Sequence, residues 1–562
     1  MQKLFSLIIA LTAFQISAQE IPYNQNPDWE STAAGRISTG LGLADIDGDG
    51  WKDMIVADGN DIQRQHLTVH YNNGDGTFPL TPDWESDDID YHGHLAVGDL
   101  NNDGWPDVAV SVYIGPSGFS DPGKLKIYYN QQGELESTPS FESMLFYSFS
   151  CAMGDADGDG DLDIGVACGE PYGNKRDKGR IYYNENGMFS DDNIWESDIL
   201  LEAMDVEFGD IDLNGYNDII FTCARKPNYV YFADDQGRID TTAAWISTDV
   251  GNFINSVDVG YDLTGAPYSY IVMTGNDQLG GDGRVKRYDF NTPPYETTPV
   301  WESNPFGYGS GILLYSMFWE SQPDLIYGGW WLPMKIALKT GNGYELNTSY
   351  TSSSSSVVEA ILVSDLGKES IVDTTYLITD TLQGNIIILP HQVVESVSGI
   401  SIEDVALSTD QYKHIPGKNR IAIDGDIPLY PPIAVNYRHS PHGDIVISNW
   451  DSNKGNFIFY NTNDPVGMDE HVISAEHAGL LISPNPAGNH IRINFREADF
   501  ETKNEATEII IRDPSGKIVL NELRKLRELL GATLNVSTLK SGFYVMEICI
   551  GKTKYHHKLI IK

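Results

Sequence analysis

Short apolar runs alternate along the chain with turn-forming residues, and one such arrangement recurs. It reads LGLADIDGDGWKDMIVAD from Leu41, LAVGDLNNDGWPDVAVSV from Leu95, CAMGDADGDGDLDIGVAC from Cys151 and VEFGDIDLNGYNDIIFTC from Val206. A small or apolar run enters an acidic, glycine-containing turn, and a run rich in β-branched and aliphatic residues leaves it. Runs of this length bounded by turn residues predict strands rather than helices. A third run ends in Tyr-Asn, as in HYNNGDG from His70, YYNQQG from Tyr128 and YYNENG from Tyr182, with fainter copies from Val230, Ala337 and Phe457. A fourth carries an aromatic residue and a serine: Trp29 and Ser31, Trp84 and Ser86, Phe141 and Ser143, Trp195 and Ser197, Trp245 and Ser247, Trp301 and Ser303.

Each unit therefore holds about four short strands, and the units succeed one another about every 55 residues. Four strands at this period predict an all-β fold, a β-propeller of seven or eight blades over residues 19–465. A solenoid of four-stranded units is the competing architecture. Beyond the fourth unit the pattern fades: Asp262, Asp324 and Asp444 survive, and 393–430 fits the period poorly, so seven and eight blades both stand.

The acidic turns carry candidate chemistry. In the first, Asp45, Asp47, Asp49 and Asp53 fall at positions 1, 3, 5 and 9, with Gly50 at 6. The second offers Asp99, Asn101, Asp103 and Asp107, the third Asp155, Asp157, Asp159 and Asp163, and the fourth Asp210, Asp212, Asn214 and Asp218. Clustered hard oxygen donors on a tight loop suit Ca²⁺, with a position-7 carbonyl as a further ligand. Uncompensated, such carboxylates repel one another, so a cation is expected in each loop.

These loops resemble the FG-GAP or VCBS repeats of extracellular propellers, including the integrin α head. The resemblance runs over about residues 25–462 and is specific for the first four units. It implies structural calcium in the loop between the first two strands of each blade; the fifth unit lacks the first and third carboxylates.

Beyond Asn463 the pattern changes. LLISPNPAGNHIRINF, TEIIIRDPSGKIVL, LNVSTLKSGFYVMEICIG and KYHHKLIIK predict a small β-sandwich over 480–562. The order Pro484-Asn485-Pro486, Asp513 to Lys517, Ser541 to Tyr544 and Lys558 to Lys562 resembles the sorting domain of the Bacteroidetes type IX secretion system. That resemblance implies an export address recognised by the secretion machinery and then cleaved. At the other end, Lys3, the apolar run Leu4 to Ile16 and the small pair Ser17-Ala18 predict a secretory signal peptide over 1–18. No later stretch reaches the apolar length of a membrane span. These segments predict a secreted or cell-surface protein.

Length and composition narrow the function. A chain of 562 residues exceeds one domain, and its 41% hydrophobic content supplies a core. The net charge of −43 argues against nucleic acid as a partner. Four cysteines cannot make a disulfide framework, although Cys151 and Cys168 flank one hairpin and can pair.

In a propeller, the loops that enter the first strand share a face with those joining the second and third. Between residues 30 and 230, Arg36, Arg64, Lys124, Lys175, Arg176, Lys178, Arg180, Arg225 and Lys226 belong to that face, opposite the acidic loops. Such a patch on an acidic chain predicts an anionic ligand, an acidic polysaccharide. Tyr91, Tyr113, Tyr172, Tyr308, Trp330 and Trp331 can stack on sugar rings there. His92 and His94 lie two apart on a strand and so on one side of it, with Gly93 between them admitting a ligand. With Glu202 or Asp205 the pair can instead hold zinc.

Two functions fit these residues. β-Elimination of a uronic-acid polymer such as ulvan needs a cation for the carboxylate, a base and an acid: Arg36, His92 or His94, and Tyr147, with Arg64, Tyr91, Tyr172, Arg176 and Glu202 binding substrate. Propeller polysaccharide lyases are similar at the level of fold. The alternative is a non-catalytic, calcium-stabilised carbohydrate-binding or adhesion protein. Gly-x-Ser-x-Gly, His-Glu-x-x-His and P-loop motifs are absent from the sequence.

Overall fold

A computed structural model describes residues 21–248, 253–263, 266–317, 322–368, 371–379 and 382–462. Toward the carboxy terminus it describes 472–474, 480–483, 490–495, 506–512, 518–525, 533–540, 542–550 and 553–561. The expected signal peptide and the motifs at 484–486 and 513–517 lie outside the described residues. The chain divides into two units, Met1–Asp464 and Pro465–Lys562.

The first unit is all-β. Its first sheet orders Ser38–Ala44, Asp53–Asp58, Leu67–His70 and Trp84–Glu85 in sequence, each antiparallel to the next. The second sheet holds Tyr91–Gly98, Asp107–Gly115, Gly118–Tyr128 and Phe141–Glu142, and the third Ser148–Gly154, Asp163–Cys168, Asp177–Tyr182 and Ile194–Leu201. The fourth has Ala203–Gly209, Asp218–Cys223, Tyr229–Tyr231 and Trp245–Ile246; the fifth has Phe253–Asp262, Tyr268–Asn276, Val285–Phe290 and Trp301–Glu302. The first two strands of the first sheet are buried along their whole length, which is why they read as apolar runs rather than alternating ones. The recurring serine has a structural role. Ser86, Ser143, Ser197, Ser247 and Ser303 each accept, through the hydroxyl oxygen, a backbone N–H from the third strand or from the residue just before it, fixing the outer strand.

The expected closed propeller of seven or eight equivalent blades is not what the pairing gives. The strands of each regular four-stranded sheet pair only with one another, no sheet closes on itself, and the regular unit stops after the fifth. Beyond the fifth unit lies one six-stranded sheet in the order Trp29–Glu30, Phe457–Phe459, Asp444–Asn449, Tyr350–Ser364, Asp324–Ala337, Gly309–Tyr315. The cause lies in YTSSSSSVVEAILVS, fifteen residues without Gly, Pro, Asn or Asp to turn the chain. Its first half pairs with Asp324–Ala337 and its second half with Asp444–Asn449, so one strand serves two neighbours. Side-chain packing of first strands links the sheets: Ser38–Ala44 on Tyr91–Gly98, that strand on Ser148–Gly154, and onward to Ala203–Gly209 and Phe253–Asp262.

The poorly fitting stretch belongs to an insertion between Ser364 and Asp444. It forms a four-stranded sheet (Val372–Ile378, Ile433–His439, Ser396–Ile402, Val405–Ala406) and a three-stranded one (Ile386–Ile388, Arg420–Ile423, Tyr412–His414). Ile387, Leu389, Ile421, Ile423, Ile433 and Val435 build a core of their own between them. The cysteines expected to pair are free. Cys151 stands opposite Val166 and Cys168 opposite Ser148, two steps out of register, and both thiols are buried.

The second unit has a five-stranded sheet, in which Val472–Ser474 pairs parallel to Thr553–Ile561, and a three-stranded sheet of Leu480–Ser483, His490–Phe495 and Thr533–Asn535. Ile491 and Leu534 from the smaller sheet share one core with Ile509, Met546, Ile548 and Leu559 from the larger.

Candidate functional site

The four acidic loops adopt one geometry. Gly50, Gly104, Gly160 and Gly215 sit at φ of 89°, 87°, 95° and 91°, in the left-handed region that glycine enters freely. The N–H of each donates to the first carboxylate of its loop: Asp45 at 2.9 Å, Asp99 at 3.1 Å, Asp155 at 2.9 Å and Asp210 at 3.0 Å. Position 5 folds back on its own loop. Asp49, Asp103, Asp159 and Asn214 accept from the N–H two residues on.

Position 9 is bound on both sides. Asp53 accepts from Ile46 N at 2.8 Å and Asn72 N at 2.9 Å, which ties the acidic loop to the end of the third strand. Asp107, Asp163 and Asp218 repeat this with Leu100 and Asn130, Ala156 and Asn184, and Ile211 and Ala233. Asp324 and Asp444 do the same without an acidic loop before them. The ninth carboxylate is thus a structural staple whether or not a cation is nearby.

Carboxylate oxygens of Asp45, Asp47 and Asp53 lie within 4.8 Å of one another, and so do those of Asp155, Asp157 and Asp163 and of Asp210, Asp212 and Asp218. Asp45 Oδ1 and Asp210 Oδ1 are buried with no hydrogen-bond partner. Burial pushes the carboxyls of Asp53, Asp155 and Asp210 up to about 7 and those of Asp163 and Asp218 well above the usual range, neighbouring carboxylates adding to the effect. Hard oxygen donors, orphaned lone pairs and crowded negative charge fit a divalent cation such as Ca²⁺. When bound, it would neutralise this charge, with the first and third carboxylates as its principal holders.

The residues expected to act on a polymer are placed differently from expectation. A β-bulge interrupts the second sheet between His92 and Leu95, so the two histidines diverge. His92 is fully buried and its Nδ1 donates to the Asp58 carbonyl at 2.7 Å, on the first sheet. His94 turns to the third sheet: Nδ1 is 3.2 Å from Ser150 Oγ and 3.7 Å from Asp205 Oδ1. Burial lowers the His92 imidazole; for His94 the adjacent Asp205 carboxylate outweighs burial and raises it. Gly93 admits the chain itself rather than a ligand, for a Cβ there would stand 2.0 Å from the Phe149 carbonyl oxygen. Among the described residues the histidine pair does not converge with Glu202 or Asp205 into a metal-ligating group of three.

The basic patch is largely neutralised from within. Arg36 pairs with Asp58 at 3.0 Å and Glu85 at 2.5 Å. Arg64 donates to the Ile89 carbonyl and lies 3.8 Å from Asp90. Glu202, buried, is held between Arg176 at 3.1 Å and Arg225 at 3.3 Å. Lys124 and Lys178 pair with Glu142 and Glu196. Tyr147 donates its hydroxyl proton to the Phe119 carbonyl at 3.1 Å. Arg36 and His92 meet on Asp58, whereas Tyr91 and Tyr147 join a different cluster.

That cluster is aromatic and spans several sheets: Tyr113, Phe149, Phe253 and Trp330 are buried, with Tyr91, Tyr147 and Trp450 packed against them. Its outer rings are open. Phe119 is 38% exposed and lies 6.1 Å from Tyr172, 40% exposed, whose hydroxyl donates to Gln278. Tyr308, 39% exposed, lies 6.2 Å from Trp331, 56% exposed, and Trp331 lies 5.9 Å from Trp450. Trp331 occupies a β-bulge at φ 58°, a conformation unfavourable for a bulky residue. Beneath it Glu359, buried, accepts from the indole N–H groups of both Trp330 and Trp450. Sequence reasoning did not single out Phe119, Trp450 or Glu359; Trp450 comes one residue after Asp444–Asn449, in the connection to Phe457–Phe459.

Comparison with known proteins adds two matched segments. Residues 45–110 match the FG-GAP-like repeat, and residues 481–562 match the secretion system C-terminal sorting domain. The tail is a type IX secretion sorting domain. Its presence supports secretion or display at the cell surface, and it implies contact with the export machinery. No helix among the described residues is long and apolar enough to cross a membrane. Integrin alpha-7 of Homo sapiens is 32% identical over 117 residues, 19% of this chain. The chain spans about 10% of that protein's length. Among solved structures, BBS1N in complex with ARL6DN has 11% identity and a TM-score of 0.32, covering 79% of this chain and 98% of that one. The Dos1 propeller has 10% identity and a TM-score of 0.36, covering 60% and 78%.

Proposed function

We propose that this chain is an exported, calcium-stabilised binding protein that attaches to a polysaccharide through the aromatic face, without chemistry of its own. The observation that supports this most is Trp331: a large ring held out to solvent on an unfavourable backbone, between Tyr308 and Trp450. Strain of this kind gathers at ligand sites, and pyranose C–H faces stack on such rings. Because the neighbouring Arg and Lys residues are spent on Asp and Glu, recognition rests on stacking rather than on charge. Acidic polymers such as ulvan enter as sugar rings first. The carboxy-terminal unit acts as the export address and is removed outside the cell.

A lyase is the second reading, and His94 supports it, being raised by Asp205 and having its Nε2 buried without a partner. The deciding experiment incubates the propeptide-free protein with neutral and acidic polysaccharides, following retention on the insoluble polymer and the ultraviolet absorbance of unsaturated uronate together. Retention without new absorbance is the expected result. Absorbance that disappears in His94→Ala would establish the lyase, and neither signal with any polymer would remove both readings.

A further inference from the structure

The inserted unit makes polar contacts with the four-stranded sheets and with their acidic loops. Lys418 pairs with Glu207 at 3.0 Å and Arg420 with Glu207 at 2.5 Å. Asn385 donates to Asp155 Oδ2 at 2.5 Å, and Glu395 of the insertion pairs with Lys52 of the first loop. Lys413, itself buried, brings its ammonium to 3.8 Å from Asp99 Oδ2, the first carboxylate of the second loop.

The second loop differs from the other three in its own donors as well. At position 3, where the other loops carry the carboxylates of Asp47, Asp157 and Asp212, it has the neutral amide of Asn101. Asp99 accepts from Asp103 N and Gly104 N, and Asp103 accepts from Trp105 N and, through its other oxygen, from the Asn101 amide at 3.3 Å. Asn101 Oδ1 accepts from Asp103 N at 3.0 Å, as Asp47 accepts from Asp49 N in the first loop, but Asn101 brings no negative charge. Asp107 is engaged on both sides.

We propose that the second loop holds no calcium because Lys413 of the inserted unit is its built-in counter-ion. A buried ammonium needs an anion, and Asp99 is the ion-pair partner it has. A divalent cation on Asp99 would face that ammonium at close range, which weakens its binding more than about a hundredfold at a protein-like dielectric. The protein therefore takes three calcium ions, not the four that the repeated loop sequence suggests, and the insertion is anchored to the second loop by charge.

Calcium titration calorimetry of the chelated full chain tests this, with metal content measured after gel filtration. Three tight sites are expected, and Lys413→Met, similar in length and neutral, gains a fourth. Asp99→Asn keeps three, whereas Asp210→Asn falls to two. Terbium emission gives a readout that leaves Lys413 in place: Trp51→Phe dims it, because Trp51 stands at position 7 of a loaded loop. Four equivalent sites in the wild type, or a loss of one ion in Asp99→Asn, overturns the proposal. None of these outcomes depends on whether the aromatic face binds sugar.

Discussion

Asp53 accepts the backbone N–H of Asn72 at 2.9 Å, nineteen residues along the chain, while its other oxygen holds Ile46 N. Asp324 makes the same pair of bonds to Lys339 and Met317 with no cation loop beside it. Two tasks are thus superposed in the acidic loops, and they separate on mutation. Asp324→Ala strands two buried N–H groups and should cost about 2–4 kcal/mol, equally with calcium or with chelator. Asp210→Ala should cost stability mainly in calcium, since in its absence the substitution also removes an uncompensated buried carboxylate. Thermal melts of the two variants in both conditions check this; parallel losses for both would mean that the loops bind no cation.

The acidic loops and the four-strand unit were legible because local chemistry makes them. Gly50 and its equivalents need positive φ, the position-9 aspartate and the serine after the aromatic strand bond within one unit, and each signal lies within a few dozen residues. The site was less legible because its contacts are distant or turn on backbone irregularity. The bulge at Gly93 sends His92 and His94 to different sheets, which strict alternation cannot foresee. Arg36 finds Glu85 and Arg176 finds Glu202 across loops, so a basic patch in the sequence is a set of ion pairs in the fold. Lys413 reaches Asp99 from an insertion whose sequence carries no repeat at all. The unbroken run through Ser352–Ser356 joins its two neighbours into one six-stranded sheet, and equal blades were expected there only because the period was extrapolated past its last clear copy.

His391 and His439 provide an acid-sensitive point within the insertion. Their rings are stacked, 3.5 Å between centroids and 11° from parallel; His391 Nδ1 meets the Tyr437 hydroxyl and His439 Nε2 the Thr374 hydroxyl. Burial pushes His391 down to about 4, and burial with the neighbouring ring pushes His439 down to about 3. Unfolded histidines titrate near about 6.5, so below that value the unfolded chain binds more protons than the folded one. Stability from this pair is complete above about 6.5 and is lost as the pH falls toward the folded values. Amide protection factors at 372–378 and 433–439, which divide out the intrinsic slowing of exchange in acid, should fall between neutral pH and pH 4.5 (about two units below the unfolded value), and His391→Phe should flatten that dependence. Unchanged protection factors in the wild type contradict the assignment.

Cys151, Cys168 and Cys223 are buried free thiols, and burial pushes the first two up to about 12. Thiolate is the reactive form, so none should react with an aromatic disulfide reagent in the native state at mildly alkaline pH, and all three should react on unfolding. Peptide mapping without reduction checks the same point, and a Cys151–Cys168 bridge in the secreted protein would refute the register of their two strands.

Trp331 sets stability against binding. At φ 58° a tryptophan stores backbone strain, whereas glycine occupies that region freely. More than half of the ring is exposed, so its removal forfeits little packing. Trp331→Gly should therefore leave the melting temperature unchanged or raise stability by about 1 kcal/mol, while weakening retention on polysaccharide at least about tenfold. Trp331→Ala should lose binding without the gain, because alanine keeps the strained φ. Tyr308→Ala should weaken binding less, since one edge of the platform remains in Trp331 and Trp450. The pairing of readouts is decisive. If Trp331→Gly lowers the melting temperature and binding falls only in step with it, the ring is a packing element and the aromatic face is not the binding site. If stability holds while retention collapses, the strain has been kept in the native state for the ligand.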